Sequence, residues 1–170
     1  SIETFAGVGL PGPVRALVLT PPSYDRQPAR RYPVLYFLHD AWGGEDSLRS
    51  HGVAEELRRR MADGRLPEFL VVAPGARGSW FSDSYDGKRR WAQFLAIDLV
   101  RQVEARYRVI PSSAARGITG ISMGGYGAVK LALRNPELYG SVSALSGALI
   151  PFSLEDLKRY NLMARWTLKR

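Results

Sequence analysis

The chain has 170 residues, of which 45% are hydrophobic and 24% charged, and its formal net charge is +8. This length and mix are typical of one globular domain, no stretch is apolar for long enough to span a membrane, and the absence of cysteine excludes disulfides and thiolate chemistry. The arginines that carry most of the positive charge are scattered, without interleaved aromatic residues, so the pattern favours a solvated surface over a nucleic-acid-binding one.

Five segments have the pattern of β-strands. Residues 2–5 and 14–20 are predicted to be two short strands joined by a Gly- and Pro-rich turn. Residues 32–38, 69–73 and 142–145 are continuously apolar rather than alternating. Continuous apolar runs are typical of strands buried on both faces of a helix-covered parallel sheet.

Helical patterns alternate with these strands. A helix capped by Asp46 or Ser47 is predicted to carry Val53, Leu57 and Met61 on one face and to end at Gly64. Further helices are predicted over residues 91–107, after Ser122 as far as 135, and over 153–170. The alternation predicts an α/β fold with a mostly parallel central sheet and helices on both faces. We expect one domain over residues 1–170.

A G-x-S-x-G pattern lies between a short β-like run and a helix start. Gly120, Ser122 and Gly124 form it. A serine at such a sharp strand-to-helix turn is raised above the sheet, and the chain reversal requires small neighbours. The pattern predicts a nucleophilic serine at residue 122; the alternative is a glycine-rich turn with a bystander serine.

Acyl transfer also needs two backbone N–H donors for the oxyanion. The residue after the nucleophile, Met123, supplies one, and a loop of small residues after an earlier strand supplies the other. The loop at residues 39–44 follows the apolar run that ends at Leu38, and Ala41 is the candidate donor in it. The alternative is a plain turn made by the two glycines at 43–44.

Longer stretches of the chain resemble the esterase D-like branch of the α/β-hydrolase superfamily. That branch includes S-formylglutathione hydrolases, tributyrin and feruloyl esterases and mycolyltransferases. The matching stretches are residues 31–39, 79–87, 120–128, and 136–139 running into 146–147. The resemblance implies an α/β-hydrolase fold with Ser122 as the nucleophile and the N–H groups of Met123 and Ala41 as the oxyanion donors.

Two residues after the third predicted strand need separate treatment. In relatives, the histidine at the position of His39 shapes the loop and does not relay protons, and we expect the same here. Asp40 departs from the family's usual glycine; we interpret it as a hydrogen-bond acceptor that orders the loop. His51 is interpreted as a surface or structural histidine.

Aromatic residues are the candidates for a substrate pocket. Trp42, Trp80 and Tyr126, with Tyr85, could line an acyl or alcohol site, although large aromatics are equally common in a packed core or rim. No cluster of His, Asp or Glu has metal-ligand spacing, so we expect neither a metal nor a cofactor.

The catalytic triad is incomplete in this sequence. The acid and base of α/β-hydrolases follow the serine, but here no histidine does, and only Glu137, Glu155 and Asp156 are carboxylates. We expect the strands that carry the acid and the base to lie outside these 170 residues, in a longer or cleaved polypeptide. The alternative is a degenerate domain that does not catalyse.

The sequence therefore favours a serine esterase that acts on small acyl esters. The alternatives are an acyltransferase and a non-catalytic binding or scaffold domain on the same fold. The expected partners are a small acyl ester and either a complementary C-terminal segment or further copies of the chain; neither nucleic acid nor membrane is expected. The cellular compartment is left open.

Overall fold

A computed structural model of the protein describes residues 1–149. Six strands form one sheet in the order β1-β2-β4-β3-β5-β6. β4, β3, β5 and β6 are parallel, whereas β1 and β2 join the β4 side in antiparallel fashion. The strand bounds are β1 Ile2–Phe5, β2 Val14–Leu19, β3 Val34–Leu38, β4 Leu70–Pro74, β5 Arg116–Ile121 and β6 Ser141–Leu145.

The helices follow the predicted segments with one change. α1 (Ser47–Ser50) and α2 (Val53–Ala62) are separate, because Gly52 lies between them with φ of 72° and ends the first helix. The single helix predicted from residue 46 or 47 was therefore wrong. Val53 was predicted on its apolar face but is 40% exposed, whereas Met61 is buried.

The later helices lie where they were predicted. α3 (Trp91–Gln93) continues through a π-helical turn at Phe94–Asp98 into α4 (Leu99–Arg106), and α5 spans Met123–Arg134. The segment predicted to be helical at residues 153–170 is outside the described residues. None of the helices in the described part of the chain is long and apolar enough to cross a membrane.

Helices cover both faces of the sheet. On one face, apolar residues of the π-helical turn, α4 and α5 pack on β3, β4 and β5 in the larger of two core clusters. On the other face, Leu48 of α1 and Ala54 of α2 pack on β2 and β4. β4 is therefore buried on both sides, as its continuous apolar sequence predicted, whereas β3 alternates between buried and half-buried residues and is covered less completely on the second face.

β6 differs from the other parallel strands. It was expected to be buried like β3 and β4, yet Val142 is 48% and Leu145 is 53% exposed. Within residues 1–149, β6 pairs only with β5 and forms the edge of the sheet. Its apolar sequence is suited to burial, but the elements that would bury it are not among the described residues.

Candidate active site

Ser122 occupies the turn between β5 and α5. Its φ of 54° and ψ of −113° are a conformation that residues with a side chain rarely adopt. Such a backbone costs about 1–3 kcal/mol and persists only where the surrounding structure enforces it. A strained serine between a strand and a helix is the geometry of a nucleophile elbow.

The two glycines of the motif enforce this turn by close packing. A Cβ on Gly120 would overlap the backbone of Gly124, and a Cβ on Gly124 would overlap the carbonyl of Leu38. The end of β5, the first turn of α5 and the end of β3 therefore approach one another at backbone distance. Only glycine allows this approach, which is the physical reason for the G-x-S-x-G pattern.

Hydrogen bonds fix the backbone of Ser122 on both sides. Its N–H donates to the carbonyl of Leu145, with an N–O distance of 2.9 Å, and its carbonyl accepts from Ala148 N–H at 3.0 Å and Tyr126 N–H at 3.1 Å. The elbow is thus tied to the end of β6 as well as to α5. These bonds involve only the backbone, so they leave the half-buried hydroxyl available for chemistry.

The first turn of α5 presents N–H groups beside the serine. Met123 begins the helix, and its N–H makes no hydrogen bond within residues 1–149. Its side chain is 1% exposed and anchors this turn in the core. The helix macrodipole adds a partial positive charge at the same end, which favours a developing oxyanion.

Asp40 orders the loop that follows β3. One carboxylate oxygen, Oδ1, accepts from the N–H groups of both Trp42 and Gly43, at 2.8 Å each. The interpretation of Asp40 as a loop-ordering acceptor is confirmed. These two bonds occupy the N–H groups that follow Ala41, whereas the N–H of Ala41 itself has no acceptor within residues 1–149.

His39 is a structural histidine. It is 1% exposed, its Nδ1 lies 2.6 Å from the carbonyl of Asp40, and its Nε2 accepts from Ala76 N–H at 2.9 Å. An acceptor role for Nε2 requires the neutral ring with the proton on Nδ1. Burial favours the same state, because it lowers the pKa of His39 below its usual value. Both ring nitrogens are engaged, as expected for a residue that shapes the loop.

The other histidine lies away from this network. His51 is exposed at the end of α1, where its Nδ1 lies 2.8 Å from the carbonyl of Ser47. It is a surface histidine, as its sequence context indicated. In the part of the chain that the structure describes, no three His, Cys, Asp or Glu side chains are arranged to hold a metal ion.

The candidate pocket aromatics fall into two groups. The rings of Trp80 and Tyr126 pack edge-to-face, with 5.9 Å between their centroids. Tyr126 lies one turn after Ser122 on α5, so this pair is close to the elbow in the fold. Trp42 is 79% exposed and Tyr85 is fully exposed, and neither shares an aromatic contact with that pair.

Two residues near the elbow were missed by sequence reasoning. Phe81 is fully buried and its ring packs on His39, with 5.3 Å between the ring centroids. Lys130 lies one turn after Tyr126 on α5, and its ammonium contacts the loop that carries Trp80. The helical spacing from residue 122 to 126 and 130 was the available signal, but nothing in the sequence indicated which loop would lie above that helix face.

The sequence matches a known protein family. The model of the family described as Putative esterase matches residues 8–166. An esterase of Mycobacterium tuberculosis is 33% identical over 152 residues, which is 88% of this chain and 31% of that protein. An endo-1,4-beta-xylanase/feruloyl esterase of Xylanibacter ruminicola is 31% identical over 134 residues, 75% of this chain and 18% of that protein.

Solved structures show the same fold. A ferulic acid esterase superimposes with a TM-score of 0.79 at 28% identity, over 86% of this chain and 58% of that one. An S-formylglutathione hydrolase of Agrobacterium tumefaciens superimposes with a TM-score of 0.73 at 22% identity, over 88% and 58% respectively. The chain thus spans 58% of these solved chains and a third or less of the two curated relatives. With the elbow geometry, these matches show that the chain has the α/β-hydrolase fold and belongs to the Putative esterase family.

Proposed function

We propose that the full-length protein is a serine carboxylic-ester hydrolase that acts on small acyl esters through an acyl-enzyme on Ser122. The observation that carries this proposal is the strained elbow at Ser122, followed directly by Met123, whose N–H has no acceptor within residues 1–149. A strained backbone at a helix N-terminus is costly for folding alone and is suited to nucleophilic catalysis. The names of the relatives as esterases support the reaction class.

The proposed reaction has two stages. The Oγ of Ser122 attacks the ester carbonyl carbon, a general base takes the hydroxyl proton, and the N–H groups of Met123 and Ala41 stabilise the oxyanion. Collapse of the tetrahedral intermediate breaks the bond to the alcohol, which leaves with the proton. Water then attacks the acyl-enzyme by the same route, releases the acid and restores Ser122.

The general base must come from elsewhere than the two histidines of this sequence. His39 and His51 are its only histidines. The ring nitrogens of His39 are both engaged in the core, and His51 is on the surface of α1. We propose that a histidine and a carboxylate beyond Arg170 complete the triad, in the portion of the relatives that this chain does not span.

The same portion is the proposed partner of β6. The exposed apolar residues Val142 and Leu145 lie on a sheet edge, and soluble proteins cover or pair such edges. A complementary C-terminal segment would bury them and would deliver residues to the carboxyl end of the sheet, where Ser122 lies. Further copies of the chain are the alternative occupant of this edge.

A non-catalytic binding domain is the second candidate function. It is favoured by one observation, namely that neither histidine of the sequence is placed as a base in the described structure. A binding domain would keep the fold but would not react with an activated acyl or phosphonate group. An acyltransferase would share the Ser122 chemistry and differ only in the acceptor.

Reaction of the full-length protein with a fluorophosphonate and with p-nitrophenyl acetate tests the proposal. Ser122→Ala should abolish labelling and reduce kcat/KM by about 10⁴-fold or more, since it removes the nucleophile. Ser146→Ala is the matched control, because Ser146 also has positive φ and lies in the loop next to the elbow. Labelling that survives in Ser122→Ala, or an unlabelled wild-type protein, would contradict the proposal.

A further inference from the structure

Lys130 is a half-buried cation that the proposed reaction does not use. It lies on α5, and its Nζ donates to the carbonyls of Phe81 at 2.9 Å and Trp80 at 3.3 Å, and also contacts the hydroxyl of Ser82. No carboxylate lies within ion-pair distance of Lys130 among residues 1–149. The ion pairs of these residues are made by Lys88, in one case, and by arginines, in eight cases. Burial lowers the pKa of Lys130 to about 8, so the ammonium is held by carbonyl dipoles at a cost in hydration.

The loop that Lys130 holds has an unusual backbone. Trp80 has φ of 53° and Phe81 has φ of 50°, so two consecutive non-glycine residues are left-handed. This conformation turns both carbonyls toward α5, where Lys130 binds them. A conformation that side chains disfavour needs such an external contact to persist.

Trp80 and Phe81 contact two different parts of the candidate site, namely α5 and the loop that follows β3. The ring of Trp80 packs on Tyr126, and the ring of Phe81 packs on His39 beneath the loop that follows β3. Lys130 also contacts the other member of the aromatic pair, since its Nζ lies 5.1 Å from the centroid of the Tyr126 ring. The ammonium of Lys130 therefore contacts both members of the pair, the carbonyl of Trp80 and the ring of Tyr126.

We propose that Lys130 is a positioning residue for substrate selectivity: it holds the Trp80 loop so that the Trp80–Tyr126 pair forms a fixed wall for an aromatic group of the ester. This inference rests on the proposed function, because it assumes that Ser122 cleaves the ester. It assigns Lys130 no proton transfer and no contact with the reacting atoms. Loss of the hydrogen bonds from Lys130 to the carbonyls of Trp80 and Phe81 should release the Trp80 loop. The elbow should keep its geometry, because the glycines and β6 hold it.

The experiment compares ethyl acetate, phenyl acetate and methyl cinnamate as substrates of the full-length protein. Phenyl acetate has an aromatic alcohol and methyl cinnamate an aromatic acyl group, so the set covers both halves of the ester. Lys130→Met keeps the length and apolar stem of the side chain and removes the charge and the donors. Arg134→Met is the matched control, because Arg134 lies one turn further along α5 and is exposed.

Lys130→Met should raise the KM of at least one aromatic ester by about tenfold and leave kcat/KM for ethyl acetate within about twofold. Trp80→Ala should cause the same selectivity change, and the double variant should add nothing further, because both changes remove one wall. Arg134→Met should leave all three substrates unchanged. If Lys130→Met does not fold, Lys130→Gln, which keeps two donors on a shorter side chain, is judged by the same selectivity ratio.

Two outcomes would overturn the inference. An equal loss of activity for all three esters would show that Lys130 only stabilises the fold. Unchanged selectivity in Lys130→Met or Trp80→Ala would show that the pair is not a wall of the site. Failure of the proposed function is distinguishable from both, because the wild-type protein would then cleave none of the esters or Ser122→Ala would cleave them all.

Discussion

Two loops at the carboxyl end of the sheet are proposed to supply the oxyanion donors, and they are held in different ways. The elbow at residues 120–124 is fixed by backbone packing, because Gly124 lies against the carbonyl of Leu38 with no room for a side chain. The loop after β3 is fixed by side chains, through the carboxylate of Asp40 and the buried ring of His39. Substitutions should therefore break the elbow by steric overlap and the β3 loop by loss of hydrogen bonds.

Gly124→Ala should have the largest effect. The added methyl group would overlap the Leu38 carbonyl, so β3 and α5 would have to separate. We expect the free energy of unfolding to fall by about 3 kcal/mol and esterase activity to be lost. Chemical denaturation of the full-length protein measures the first effect and ester hydrolysis the second.

Gly12→Ala is the control for this substitution, because a Cβ there would meet nothing within 4 Å. A Gly124→Ala variant as stable and active as the Gly12→Ala variant would contradict the packing account of the elbow.

Asp40→Ala should have a smaller effect, confined to catalysis. It removes the acceptor for the N–H groups of Trp42 and Gly43, so the Ala41 N–H would no longer be held in place. We expect kcat/KM to fall by about 10- to 100-fold, less than the loss of an oxyanion donor outright. Steady-state kinetics on p-nitrophenyl acetate measures this.

Asp40→Asn is the matched variant, since its Oδ1 can accept the same two bonds, and it should retain most of the activity. Equal losses in Asp40→Ala and Asp40→Asn would show that the negative charge, and not the acceptor geometry, is what matters.

The smallest effect concerns the pH dependence of stability. The folded state lowers the pKa of His39 below its usual value of 6.5, so the folded protein resists protonation more than the unfolded chain does. The stabilisation is therefore complete above about pH 6.5 and is lost as the pH falls through the folded pKa, with a slope of at most about 1.4 kcal/mol per pH unit.

The free energy of unfolding of His39→Gln, whose Oε1 can accept from Ala76 N–H, should lack the decrease that His39 causes below pH 6.5. His51→Gln is the control, because His51 is exposed, and it should keep the wild-type pH profile. The same pH profile in wild type and His39→Gln would contradict the neutral, buried assignment of His39.

The difference between the two loops also explains what the sequence could predict. Close backbone packing can be read from a sequence because only glycine permits it, so Ser122 and the strand-to-helix turn were found from residues 120–124. The roles of His39 and Asp40 were also recognised, through the family resemblance and the polarity of the loop. The glycine motif has a fixed spacing, and the bonds that Asp40 accepts come from the second and third residues after it, so both features are local in the chain.

Long-range contacts could not be predicted in this way. Lys130 makes hydrogen bonds to residues that precede it by 48 to 50 positions in the sequence. His39 accepts a hydrogen bond from an N–H 37 positions away. The exposure of β6 was missed for a related reason, because an apolar strand sequence shows that burial suits it but not which element provides it. Gly52 was passed over because a glycine inside a helical pattern does not by itself reveal a positive φ.

The most direct test of the account is to trap the acyl-enzyme of the full-length protein. Rapid acid quenching during turnover of p-nitrophenyl acetate, followed by trypsin, should yield an acetylated peptide spanning residues 117–130, which lies between the cleavage sites at Arg116 and Lys130. Fragmentation of that peptide should place the acetyl group on Ser122. Turnover without this adduct, or an adduct on another residue, would contradict the central claim.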